Sequence, residues 1–187
     1  TIAPVFTEFY SIVFQKKRLS IKVLGGLFLA LLGAYTLLSQ SSFSDTSTFG
    51  NVLAVLCSAA MAVVLLVGKD VRKSVGLFEY SRWLFFYAAA CLLLISLYQN
   101  VNVFSFSFQD FGWFVFLAAI PTMVGHNIFY FLVKTLSATT VAAVPLGEPV
   151  ISSVGAFFLF NEPVGPFVFL GGSITLIGVY IIIRNDD

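Results

Sequence analysis

The stretch EPVISSVGAFFLFNEPVGPFVFLGGSITLIGVYIII, residues 148–183, lies over APVFTEFYSIVFQKKRLSIKVLGGLFLALLGAYTLL, residues 3–38, when the chain is slid by 145 positions. Pro149, Val150, Gly171, Gly178 and Tyr180 then coincide with Pro4, Val5, Gly26, Gly33 and Tyr35, so the spacing from proline to glycines is kept. What this duplication means depends on how many times the chain crosses a membrane between the two copies.

The 187 residues are 59% hydrophobic and 10% charged, with a mean hydropathy of +0.98, whereas soluble domains carry about 25% charged residues. This is the composition of a membrane protein. Apolar stretches approaching the length needed to span a bilayer, about 20 residues, number seven: 2–14, 23–38, 51–68, 83–97, 112–133, 138–160 and 166–183. The predicted fold class is therefore all-α, a polytopic membrane helix bundle. From one copy to the next the chain advances by five spans, an odd number, so the second copy is upside down relative to the first. That is an inverted-topology repeat.

With five spans per repeat, residues 1–48 form the last two helices of the first repeat and 49–187 the complete second one. The chain opens on Thr1 within an apolar segment. We therefore expect a piece of a ten-helix parent of about 280 to 300 residues.

Charges that played no part in choosing the spans predict the orientation. Lys16, Lys17, Arg18 and Lys22 lie at the first connection, Lys69, Arg72, Lys73 and Arg82 near the third, Lys134 in the fifth and Arg184 at the C-terminal end. The opposite connections carry Asp45, Asp110 and Glu162 and no lysine or arginine. Basic residues mark the cytoplasmic side, which predicts a multi-pass protein of the cytoplasmic membrane with its C-terminus inside. A formal net charge of +1 does not suggest a nucleic-acid partner.

SATTVAAVPLGEPVISSVGAFFLFNEPVGPFVFLGGSITLIGVYIII, residues 137–183, with a proline near mid-span, an acidic residue in FNEP and a glycine-bearing last span, resembles the drug/metabolite transporter superfamily, specifically its EamA-type ten-helix proteins. Residues 3–38 resemble the end of the first repeat. The resemblance implies a transporter whose two inverted repeats rock about a central site, and it leaves the solute open among amino acids, nucleosides, nucleotide sugars, cofactors and S-adenosylmethionine-like molecules. The first copy departs from the second in having Lys17 opposite Glu162 and Ala3 opposite Glu148.

Glu148 sits near the middle of its span, where an ionised side chain is costly and calls for a partner, a proton or water. Pro149 cannot donate to the carbonyl of Pro145, nor Pro145 to that of Val141, which leaves two backbone acceptors without donors and predicts a broken helix beside protein or a wet cavity. Pro145, Glu148, Ser152 and Gly155 fall at helical spacing, a polar stripe suited to such a cavity. Glu148 is thus a candidate for solute binding or proton coupling, or equally a structural tie between helices. Glu8, one turn beyond the helix-breaking Pro4, is a second intramembrane acid with Thr7 and Ser11 nearby, a candidate for the same two roles or for a structural group. Thr122, His126 and Tyr130 share a helical face, a set able to relay protons or bind a polar solute, or to be satisfied by packing.

Gly26 and Gly33, like Gly171 and Gly178, are seven residues apart, which predicts one packing face per helix. Trp83 and Trp113 near span ends read as interfacial anchors. VFSFSFQDF, residues 103–111, reads as a short interfacial strand or extended loop. Cys57 and Cys91 read as buried thiols.

The chain has no G-x-x-x-x-G-K-[ST] phosphate loop and no H-E-x-x-H, so neither nucleotide hydrolysis nor zinc proteolysis is expected of it. No metal and no cofactor is expected. The predicted function is secondary transport of a small polar or amphipathic metabolite by alternating access, with protons as a possible second partner. A lipid or lipid-linked-solute flippase and a noncatalytic membrane assembly subunit are the alternatives.

Overall fold

The computed structural model describes residues 1–18, 20–38, 47–103, 105–161 and 165–186. The acidic residues Asp45 and Glu162, and Phe104, lie outside the described residues. No strand occurs among those described. The helices are α1 (Ala3–Val13), α2 (Ile21–Leu38), α3 (Thr48–Val71), α4 (Leu77–Tyr98), α5 (Phe108–Leu117) continuing through a π-helical segment (Ala118–His126) into α6 (Asn127–Leu132), α7 (Ala138–Ala143) continuing through a 3₁₀ turn (Val144–Gly147) into α8 (Glu148–Phe160), and α9 (Pro166–Asn185).

All seven expected spans fall on these helices. Thr48–Val71, Leu77–Tyr98, Phe108–Leu132, Ala138–Phe160 and Pro166–Asn185 are long and apolar enough to cross a bilayer, and Ile21–Leu37 is apolar but shorter. The 11 residues of α1 rise about 16 Å at 1.5 Å per residue, roughly half the hydrocarbon thickness. Large apolar side chains such as Phe28, Leu94, Phe116, Ile151 and Phe169 stand exposed along these helices. The chain is a multi-pass membrane protein.

Two compact units are present, residues 1–67 with 136–187, and residues 68–135. In the first, α2 and α9 run antiparallel with their backbones in contact at the four glycines singled out by spacing. A Cβ on Gly33 would lie 2.6 Å from the Gly171 carbonyl oxygen, and one on Gly171 would lie 2.7 Å from that of Gly33. A Cβ on Gly26 would lie 2.9 Å from the Gly178 oxygen, and one on Gly178 2.6 Å from that of Gly26. Only glycine permits such an approach. Between lipid-immersed helices close packing replaces the hydrophobic drive that water supplies.

These contacts come in mirrored pairs. Shifted by 145 residues, Gly26 against Gly178 becomes Gly171 against Gly33, Gly33 against Thr175 becomes Gly178 against Ala30, and Gly171 against Leu37 becomes Gly26 against Ile182. Reciprocal contacts of this kind are what a two-fold axis through the crossing produces. Around the crossing Val23, Leu27, Ala30, Val179 and Ile182 pack with Ala143 and Leu146 into one buried cluster, so the 3₁₀ turn rests directly on the α2–α9 pair.

In the second unit, Arg72 is only 4% exposed. Its Nε donates to the Tyr130 carbonyl at 3.2 Å and its guanidinium also reaches the Val75 carbonyl. Tyr130 packs edge-on against Tyr80 at 5.3 Å between ring centroids, and Ser81 donates to the Asn127 side chain.

Two local expectations are corrected. The expected strand or extended loop over 103–111 is loop at 105–107 but helix from Phe108: the Ser107 hydroxyl accepts from the Asp110 N–H at 3.2 Å while the Asp110 carboxylate accepts from the Ser107 N–H at 2.9 Å, a capping box that starts α5. Cys57 and Cys91 are free and exposed, not buried. Trp83 and Trp113, near the starts of α4 and α5, are also exposed.

Gly33→Ala and Gly178→Ala should each lower stability by about 1–3 kcal/mol, the usual cost of overpacking. Gly25→Ala, whose Cβ would meet nothing within 4 Å, should be neutral or stabilising by up to about 1 kcal/mol. Thermal unfolding of the three variants in detergent measures the contrast.

Candidate functional site

Span 138–160 breaks where its two prolines require. Pro145 cannot donate to Val141, but the Val144 N–H does; Pro149 cannot donate to Pro145, but the Glu148 N–H does. Each bond skips three residues instead of four, and this tightening is the 3₁₀ turn. The expectation that these carbonyls are left without donors is thereby corrected. The Pro149 carbonyl in turn accepts from Ser152 Oγ at 3.1 Å and Ser153 Oγ at 2.8 Å.

The turn also divides the span by environment. Every residue of α7 is buried, as are Leu146 and Gly147, whereas no residue of α8 is. Glu148 and Ser152 are exposed and Pro145 and Gly155 half-buried. The Glu148 carboxylate has no hydrogen bond or ion pair with any described residue.

Glu8 has a different setting. Ala3, Pro4, Thr7, Glu8 and Ser11 form the buried face of α1, which packs against α7. Pro4 occupies the first turn of α1, where its missing N–H costs nothing, and its carbonyl accepts from Thr7 Oγ1 at 3.0 Å. Glu8 Oε2 accepts from Thr139 Oγ1 at 3.0 Å and from Lys17 Nζ at 3.3 Å. Its other oxygen, Oε1, is buried without a partner, open to one further donor.

Lys17 is the centre of this cluster. Lys16 takes a φ of 54°, and the chain turns back so that the Lys17 N–H donates to the Ser11 carbonyl at 3.1 Å. Lys17 Nζ then bridges Glu8 and Asp186. Asp186, at the C-cap of α9, also accepts from Ser137 and from Thr140 Oγ1, the latter at 3.0 Å; the Ser137 hydroxyl accepts from the Thr140 N–H at 2.9 Å and so caps α7. One ammonium thus ties the α1–α2 connection, the start of α7 and the end of α9. Burial works against the charge on Lys17, but Asp186 and Glu8 together outweigh it and hold its pKa above the usual lysine value of 10.5.

In the other unit, His126, Thr122 and Tyr130 line up along the π-helical segment and α6, but their environments differ. Pro121 cannot donate to Leu117, and Thr122 Oγ1 supplies that carbonyl at 3.0 Å. His126 Nδ1 lies 3.0 Å from the Pro121 carbonyl. Both side chains thereby serve their own helix, His126 being exposed and Thr122 half-buried. Tyr130 is buried among Tyr80 and Phe85. A π-helical turn of this kind recurs at functional sites in other proteins.

Residues 48–184 match the model of the EamA-like transporter family, nearly three quarters of the chain and every helix from α3 to α9. The chain belongs to the EamA-like transporter family. Two transporters of Archaeoglobus fulgidus, named only as uncharacterized, resemble this EamA chain: one is 24% identical over 99% of the chain and 66% of its own length, the other 26% identical over 98% and 64%. A WAT1-related chloroplastic protein of Arabidopsis thaliana is 23% identical over 84% of the chain and 40% of its own length. The chain spans less than two thirds of the length of these relatives. In the EamA segment lie Glu148, His126, Thr139 and Thr140; Glu8 and Lys17 precede it and Asp186 follows it. Of the cluster, only Glu8 stood out in the sequence as a candidate.

Lys17→Met leaves two buried carboxylates without their counter-ion and should destabilise the protein by about 3–5 kcal/mol, as breaking a buried pair does, while Lys17→Arg retains most of the stability. The raised pKa sets the sign of the pH dependence: the contribution of Lys17 is complete below about pH 10.5 and is lost as pH rises through the folded-state value above it. Melting temperatures across that alkaline range, compared with Lys17→Arg, read out the difference.

Proposed function

We propose that the protein is a secondary transporter, moving a small polar or amphipathic metabolite across the cytoplasmic membrane by alternating access. Residues 1–48 are the last two helices of one five-helix repeat and 49–187 the whole of its inverted partner, in a ten-helix parent. The reciprocal contacts between α2 and α9 support the repeat assignment, since a pair related by a two-fold axis is a pivot about which two halves rock.

The observation that carries the reading is Glu148. It lies midway along an apolar span of a transporter-family segment, beside a turn broken by two prolines, with its carboxylate exposed and unpartnered among the described residues. A carboxylate at that depth is expensive unless it meets water, solute or a proton. Glu148 therefore takes up and releases a proton, or holds a cationic or hydrogen-bonding part of the solute, as the halves rock. His126, Thr122 and Tyr130 are secondary candidates, their local hydrogen bonds and packing favouring a structural part.

Lys16, Lys17, Arg18, Lys22 and Arg184 belong to the chain ends and connection gathered around the Lys17 cluster, and the concentration of positive charge there makes that side cytoplasmic. In the same reading the Glu8–Lys17–Asp186 cluster is a latch holding this end of the first unit closed.

Reconstituted as the full-length protein in proteoliposomes, Glu148→Gln should abolish pH-gradient-driven uptake from a pooled metabolite library while solute exchange at symmetric pH survives. Loss of both in a folded variant would assign Glu148 to solute binding, and unchanged uptake would remove it from the mechanism.

A further inference from the structure

Beside the glycine crossing, α2 and α9 part to leave an open groove of about 510 Å³, lined by Lys22, Gly25, Leu29, Tyr180, Arg184 and Asn185 among others. Its floor is bare because a Cβ on Gly25 would meet nothing within 4 Å. Its mouth carries two cations. Lys22 lies in the first turn of α2, where the helix dipole adds positive potential, and Arg184 in the last turn of α9, donating to the Tyr180 hydroxyl at 3.3 Å along the groove wall.

Neither cation is neutralised by a carboxylate among the described residues. Asp186, two residues from Arg184, is buried and engaged by Lys17, Ser137 and Thr140. The groove thus pairs an apolar trough between two membrane helices with an uncompensated double positive charge at its end. An acyl chain fits the trough and a phosphodiester fits the charges, since guanidinium and ammonium both donate to phosphate oxygens. Basic pockets between membrane helices collect anionic headgroups for this reason.

We infer that this groove binds an anionic phospholipid, its phosphate between Lys22 and Arg184 and one acyl chain lying along Gly25, Gly26 and Leu29. The leaflet concerned is the cytoplasmic one, which rests on the orientation proposed above. The lipid extends the apolar contact of α2 and α9 on the side where glycine leaves it unfilled and anchors that end of the pair at the membrane surface.

Native mass spectrometry of the full-length protein, titrated with phosphatidylglycerol or phosphatidylcholine, tests the site without reference to transport. The parent should hold phosphatidylglycerol at least about tenfold more tightly, and Lys22→Gln with Arg184→Gln should bring that ratio close to one. Gly25→Leu fills the trough without touching the charges and should displace phosphatidylglycerol as well, which separates a lipid from free phosphate; it also decides the matter if the double variant does not fold. An unchanged preference in the double variant, phosphatidylglycerol retained by Gly25→Leu, equal competition by inorganic phosphate, or a dimer that closes this face with a second copy would each overturn the assignment.

Discussion

Backbone meets backbone where α2 crosses α9, and the first unit is arranged around that contact. Four glycines let the two helices approach until the carbonyl oxygen of one lies where a Cβ of the other would be. The closeness constrains the crossing tightly, because little side chain remains between the helices at these glycines to adjust. It also creates the flanks into which Leu27, Val179 and Ile182 pack, and on which Ala143 and Leu146 of the broken span come to rest. The broken span is thereby held at its turn, and the environment changes there from fully buried α7 to exposed α8.

The crossing was legible in the sequence because lipid removes most other means of joining helices. When packing depends on the smallest side chains, their spacing becomes the signal, and Gly26, Gly33, Gly171 and Gly178 kept that spacing in both copies. The apolar spans were legible for the complementary reason, that the bilayer sets their length. The 3₁₀ turn was half legible. Pro145 and Pro149 announced a break, but not that i to i+3 bonds would resupply both carbonyls. Four residues wound at about 120° instead of 100° turn α8 by roughly 80° relative to an unbroken helix, so a stripe drawn straight from Pro145 to Gly155 carries a phase error.

The charged cluster was hidden by distance. Lys17 and Asp186 are separated by 169 positions, and each alone reads as an interfacial charge at the end of an apolar stretch. Nothing in local periodicity says that the two meet, or that Ser137 and Thr140 wait at the α7 cap to share Asp186. The π-helical segment had a usable mark in Pro121, since a proline within a span obliges some other group to supply the freed carbonyl, and Thr122 stands next to it.

A duplicated contact also constrains how its halves can diverge. Positions inside the crossing are bound in reciprocal pairs, so a larger residue on one helix injures both sides of the axis. Gly25 is just outside that constraint, and its counterpart 145 residues later is Leu170. Gly25 leaves a hollow where a Cβ would meet nothing within 4 Å, whereas Leu170 presents a large exposed side chain. The two ends of an otherwise reciprocal joint therefore present different surfaces, a hollow beside one and a leucine beside the other, which gives the crossing a polarity along its axis.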